Sequence, residues 1–375
     1  MIKQQSRRRQ AWTITRIELR RAFFSRRAFW VYALALFPSL IFLVYHMQVK
    51  IQTMSLSNAD KITPAQLDSV TAGETADAII ERLGKAPRDF ERTNTRRIRE
   101  NAEETGDNPA GAKFVDETTT YRNMTYFDGQ RQANLAFVDG KLVSKTTKLL
   151  KDFEEDRRIF AGVFQFFYLR LAIFFGCLGI FMNLFRGEML DRTLHYWFLA
   201  PARREILLAG KYGAGLIASI VIFTGGALLC FGIMVWPHNS LEIQAFWRSA
   251  GMGYVFWYAA AAALGCIGYG SVFLAAGLLL RNPITPAAIL LAWESINGFL
   301  PQLLQKASIL YYLQSLCPIP APVDRGVPDL LRLLLTPASP ASRSGAVFGI
   351  LAITAVVLLL ARRAILRMQI SYSGE

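Results

Sequence analysis

The residues of this 375-residue chain that could do chemistry are few. Its three histidines, His46, His195 and His238, are far apart in sequence, with no HExxH pair that could hold a zinc ion. Its four cysteines, Cys177, Cys230, Cys266 and Cys317, form no CxxC pair, and three of them lie inside apolar blocks. That pattern supports neither a metal centre nor a disulfide framework. A phosphate-binding GxxxxGK[ST] loop is missing too, because Gly210-Lys211 lacks the upstream glycine spacing. A membrane-embedded protease or acyltransferase would need a nucleophile with a base, or a metal. The expectation is a chain with no catalytic site and no metal or cofactor of its own.

The charges beside and within apolar runs are more informative. Residues 185–211 read FRGEMLDRTLHYWFLAPARREILLAGK, carrying Arg186, Glu188, Asp191, Arg192, Arg203, Arg204, Glu205 and Lys211. Apolar Leu190, Leu194, Trp197, Phe198 and Leu199 interleave with them, and Pro201 breaks the run. This suits a short amphipathic helix, a proline stop and a second helix entry, with one face toward membrane and one toward a partner. An interfacial loop with no partner would have a similar composition. Arg170 and Glu294 lie inside apolar stretches, where an ionisable group is costly. They read either as a polar pair across a translocation path, or as a snorkelling arginine and a glutamate bonded to a neighbour such as Asn297.

The elements that position these groups follow from apolar length. The chain is 53% hydrophobic, and its apolar residues gather into blocks near the roughly 20 residues needed to cross a bilayer. The fold class expected is an all-α polytopic membrane protein with six transmembrane helices, at 28–49, 159–184, 212–236, 251–280, 284–304 and 346–361. An α/β extracytoplasmic domain, 50–158, is inserted between the first and second. Its first half, 64–104, reads as interrupted helix. Its second half reads as a three-stranded meander turning at Asp128-Gly129 and Asp139-Gly140, since Asp-Gly favours the positive φ of tight hairpins. Residues 1–27 form a basic amphipathic segment on the lipid surface, 28–49 a retained anchor, and 367–375 a short tail. The remaining helices occupy 159–366, with an elbow at 185–211 and a Pro-rich extracytoplasmic loop at 305–345 that holds an amphipathic stretch at 328–336.

The formal net charge is +14, yet between Lys50 and Arg158 there are 18 basic and 19 acidic residues. The excess therefore flanks the spans, where basic residues set topology and contact anionic lipids. With the N-terminus in the cytoplasm, 18 basic residues fall inside and five in short outside loops. That predicts cytoplasmic termini and an outward domain, and it gives no reason to expect nucleic acid as a partner.

The ordered run of Glu188, Thr193, Pro201, Arg203-Arg204-Glu205 and Gly210-Lys211 resembles the signature loop of type-2 ATP-binding-cassette (ABC-2 type) transporter permeases. The resemblance covers residues 11–49 and 160–366. Arg192 stands where that family commonly has Gly before the Thr. It implies the permease subunit of an ABC exporter in a bacterial inner membrane, with 185–211 as a coupling loop formed by Arg186, Glu188, Thr193, Pro201, Arg203, Arg204, Glu205 and Lys211. The implied partners are an ABC ATPase subunit that binds ATP and Mg, a second permease chain, identical or homologous, and membrane lipids. A membrane-anchored sensor with an outward ligand-binding domain is the alternative. An ion-coupled transporter would be expected to show an internal repeat, and none is evident. The apolar spans suit a drug, a lipid-linked molecule or a peptide without selecting among them.

Overall fold

The computed structural model describes residues 7–24, 28–57, 62–99, 114–129, 131–190, 193–199, 203–280, 284–297, 300–320 and 339–367. Within these the chain divides into two compact units, Met1–Leu43 with Phe153–Glu375, and Val44–Asp152. Arg192, Pro201, residues 281–283, the 328–336 stretch and the tail from 368 lie outside the described residues.

The larger unit is helical. Five helical stretches are long and apolar enough to cross a membrane: Ala28–Gln52, Phe153–Met189, Arg204–Val235, Ser240–Leu279 and Arg343–Arg367. These define a multi-pass membrane protein. In chain order the unit contains α1 (Arg7–Phe24) and the start of α2 (Ala28–Ser57). After the smaller unit come α5 (Phe153–Val163), a π-helical segment (Phe164–Ala172), α6 (Ile173–Leu190), α7 (Leu194–Leu199) and α8 (Arg204–Val235). Then follow α9 (Ser240–Phe246), a second π-helical segment (Trp247–Gly251) and α10 (Met252–Leu279). The last four are α11 (Ile284–Ile296), α12 (Gln302–Gln305), α13 (Ile309–Leu316) and α14 (Arg343–Arg367).

The central helix is α10, which packs against α6, α8, α13 and α14. Of the most apolar window in its stretch 78% is buried, against 22% for α14 and 33% for α2. The peripheral helices leave Phe37, Leu40, Phe348, Val356 and other large apolar side chains exposed, as helices solvated by lipid would. Close approach is set by small residues: a Cβ on Gly226 of α8 would stand 2.7 Å from the Ala35 carbonyl oxygen of α2. Pro38 removes one rung of α2's bonding, and in the preceding turn the Tyr168 hydroxyl donates to the Ala35 carbonyl at 2.8 Å.

One expected span has a different form. The stretch from 284 to 304 is not a single helix: α11 has 13 residues, and Pro301 starts the separate four-residue α12. At 1.5 Å per residue, α11 covers only about 20 Å of the roughly 30 Å hydrocarbon core.

The smaller unit contains α3 (Pro64–Asp68), α4 (Ala76–Leu83) and an antiparallel sheet, β1 (Arg88–Arg99), β2 (Phe114–Phe127), β3 (Arg131–Val138) and β4 (Lys141–Leu149). Strand order is sequential. The two Asp-Gly turns stand where the sequence places them, with Asp139 at φ 49° and Gly140 at φ 78° closing β3 onto β4. The sheet has four strands rather than three, because Arg88–Arg99 is strand and not helix. Its composition, rich in Arg with one Phe and one Ile, does not mark it as a strand. Twelve paired positions with β2 decide its conformation instead. Met124, Tyr126, Ala133, Leu135, Phe137 and Leu142 pack under Leu67, Ile79 and Leu83 of the two helices, while Phe90, Tyr121 and Asn123 on the other face are exposed.

Candidate functional site: a buried ionic knot

The entry of α8 and the end of α6 are joined through α1. Gly210 lets α1 lie directly on α8, since a Cβ there would meet Ile14 Cβ at 2.9 Å and the Ala11 carbonyl oxygen at 3.1 Å. At the same crossing Thr15 Oγ1 donates to the Gly210 carbonyl at 3.0 Å. One residue further, Lys211 is fully buried (0% exposed).

Its ammonium group has three donors and three acceptors. Lys211 Nζ lies 2.7 Å from Glu18 Oε1, 2.8 Å from Glu188 Oε1 and 2.9 Å from the Leu184 carbonyl oxygen. Trp197 Nε1 of α7 donates to the same Glu188 oxygen at 2.8 Å, and Arg21 reaches it at 3.4 Å. The rings of Phe185 and Trp197 flank the ammonium at 5.4 and 5.2 Å. Two carboxylates thus face two cations. Desolvating Lys211 and both carboxylates is tolerable only when each is paired, which this geometry provides, while Arg21 stays largely exposed. The second carboxylate oxygen of Glu188, Oε2, is buried with no hydrogen-bond partner among the described residues.

The other residues singled out in 185–211 are distributed around this knot. Thr193 N donates to the Glu188 carbonyl at 2.9 Å and closes the end of α6, while its side chain is exposed. Arg204 donates to the Ile365 and Leu366 carbonyls at 3.3 Å each, at the C-terminal turn of α14, where a cation complements the helix dipole. Glu205 pairs with Arg362 of the same helix at 2.8 Å. Arg203 is exposed and N-caps α8 through its extended backbone. Arg186 is half-buried, with Nε lacking a partner among the described residues. Pro201 lies outside the described residues.

Glu18, Arg21 and Trp197 are members that the reading of the loop did not assign to this site. Glu18 carried a signal, since it is the single acidic residue among the first 59 and sits in a run of arginines. A lone acid there suggests a buried partner.

Arg170 and Glu294 line one small cavity of about 20 Å³, with Phe174, Tyr269, Leu291, Ser295 and Leu310. No direct ion pair joins them: the Arg170 guanidinium lies over Phe166 at 5.3 Å. The Glu294 carboxylate instead accepts from the Ser308 hydroxyl, from Ile309 N at 3.2 Å, from Leu310 N at 3.5 Å and from Tyr269 OH at 3.4 Å. It therefore caps the start of α13, where unpaired N–H groups and the helix dipole favour an anion. His238 pairs with buried Asp156 at 2.9 Å beside Phe153, and the side chain of His195 lies outside what is described.

The chain matches no family model, no curated protein and no solved structure.

Proposed function

We propose that this chain is the permease subunit of an ABC exporter in a bacterial inner membrane, driven by ATP hydrolysed on a separate subunit. The observation that carries the reading is the Glu188–Lys211 contact at 2.8 Å. These residues stand near the entry and at the exit of the 185–211 segment, and α1 holds both. A segment clamped at its ends transfers force on its middle to both flanking helices at once. That middle offers Tyr196 at 66% exposure, Leu199 at 79%, and exposed Arg203. Large apolar groups beside a cation suit a protein partner. In this reading the ATPase grips α7 and the start of α8, and the knot transmits its closure to α6, α8 and α1. The resemblance of the loop to ABC-2 type permeases points the same way, as does the absence of a nucleotide-binding loop in the sequence. Cytoplasmic termini and a second permease chain belong to the same proposal.

The test is reconstitution of the chain with a co-expressed ABC ATPase. Tyr196→Ser with Leu199→Ser is expected to lower co-purification several-fold, and Glu188→Ala with Arg204→Ala to lower ATP-dependent transport. Unchanged binding and transport in both double variants defeats the proposal. So does labelling of Leu199→Cys from the outer face of intact cells, which would put the segment beyond an ATPase's reach.

A further inference from the structure

The two faces of the β1–β4 sheet treat their arginines differently. On the helix-covered side three described arginines are neutralised: Arg122 pairs with Asp89 at 2.6 Å, Arg131 with Asp128 at 2.8 Å and Asp68 at 3.2 Å, and Arg82 of α4 with Glu74. On the open side, alternate residues of β1 are Arg88, Phe90, Arg92, Asn94 and Arg96, all exposed. None of these three arginines has an acidic partner among the described residues. Their cross-strand neighbours on β2 are Thr125, Asn123, Tyr121, Thr119 and Glu117 in that order, so the acid stands only at the far end, opposite Arg96. Phe90 is 65% exposed and Tyr121 47%. Phe90, Arg92, Asn94, Tyr121 and Asn123 line an open groove of about 440 Å³, within the range of small-ligand sites.

We infer that this face binds an anionic carbohydrate, a chain of sugar rings carrying carboxylate or phosphate groups. Each part of such a ligand has a counterpart here. Arg88 and Arg92, four residues apart on a strand, stand about 13 Å from one another, a span suited to charges on separate rings of one chain. A guanidinium offers paired donors to a carboxylate or phosphate. Exposed Phe90 and Tyr121 present flat apolar faces to the C–H faces of sugar rings. Asn94 and Asn123 can donate to and accept from hydroxyl groups. A second copy of the same face would bring arginine against arginine. A single-stranded nucleic acid would need a cation near every phosphate, and the unpaired arginines here are confined to β1. The inference rests on this face alone and holds whether or not the chain is a transporter subunit.

The test uses the full chain in detergent, titrated with polygalacturonate, phosphomannan, neutral dextran and oligo-deoxythymidylate. At least one acidic glycan is expected to bind, more weakly as salt rises, and more tightly than dextran or the oligonucleotide. Arg88→Gln with Arg92→Gln should weaken that binding about tenfold or more, and Tyr121→Ala should weaken it severalfold. Both sites are on an exposed sheet face, so folding is not at stake. Arg122→Gln, which removes one positive charge from the covered side, should leave binding unchanged. The inference fails if neither acidic glycan binds, if dextran or the oligonucleotide binds as well or better, or if Arg122→Gln weakens binding as much as the double variant.

Discussion

Glu188 and Glu294 are both buried acids in apolar helices, and they are stabilised by opposite means. Glu188 faces a full cation, Lys211, brought by another helix and shared with a second carboxylate, Glu18. Glu294 faces only dipoles, namely the Ser308 hydroxyl, the Tyr269 hydroxyl and two backbone N–H groups of α13. The first arrangement joins three helices through charge, so losing one member leaves the others uncompensated. The second holds a short helix start in place, and a neutral side chain of similar shape could keep part of it. A charge cluster is therefore a stiff connection between elements, whereas a capping acid is a local clasp.

Replacing Lys211 with Met should produce the largest effect. Two buried carboxylates would be left with only the largely exposed Arg21 as a cation, at 3.4 and 3.8 Å, at a cost of about 3–5 kcal/mol. Folded yield and apparent melting temperature in detergent should fall steeply. Adding Glu18→Gln and Glu188→Gln to that variant should restore much of the loss, because no buried charge is then unpaired and Arg21 is 63% exposed to solvent. If the triple variant is as unstable as Lys211→Met alone, the knot is held by packing rather than charge.

At Glu294 a smaller and graded effect is expected. Glu294→Ala strands the α13 N–H groups and the Ser308 hydroxyl and should cost about 1–3 kcal/mol. Glu294→Gln keeps an acceptor oxygen and should cost less than half as much. Equal losses from both would mean that a net negative charge is required at this position, which would bring Glu294 closer to Glu188 in kind. Thermal denaturation of the two variants in the same detergent decides the matter.

Asp89 extends the comparison to the surface and should show the smallest effect. The Arg122 guanidinium holds its carboxyl below the usual range, chiefly by hydrogen bonding. A depressed folded value means this contribution is present above about pH 4 and lost as pH falls through the folded value. Because the pair is largely solvated, its worth is at most about 1 kcal/mol. Arg122→Gln should shift the acid-unfolding midpoint of the β-sheet signal upward by a few tenths of a pH unit. No shift would mean that the pair contributes nothing measurable.

How much of this was legible beforehand depended on the kind of residue. The β3–β4 turn is written in Asp139-Gly140, since few residue pairs tolerate two successive positive φ angles. Strand β1 was not legible: Arg88–Arg99 has no alternation of apolar residues and its few β-formers are scattered among five arginines, so its ladder with β2 makes it a strand. Glu188 and Lys211 stood out as charges near apolar runs, but nothing in their spacing said that they touch. Glu18 was harder still, because its partner lies 193 positions along the chain.

By itself the amino-acid sequence determined the solvent of this protein and its gross division. Apolar runs of this length have no stable home in water, and the polar stretch between the first two of them cannot cross lipid. Tertiary structure alone decided which charges meet and which remain open. It brought Lys211 between two glutamates, bent the run after 284 into short helices clasped by Glu294, and left Arg88, Arg92 and Arg96 of β1 without an acidic partner among the described residues. The physical reason is range: solvation acts on each segment where it stands, whereas a buried ion pair exists only once distant helices have packed.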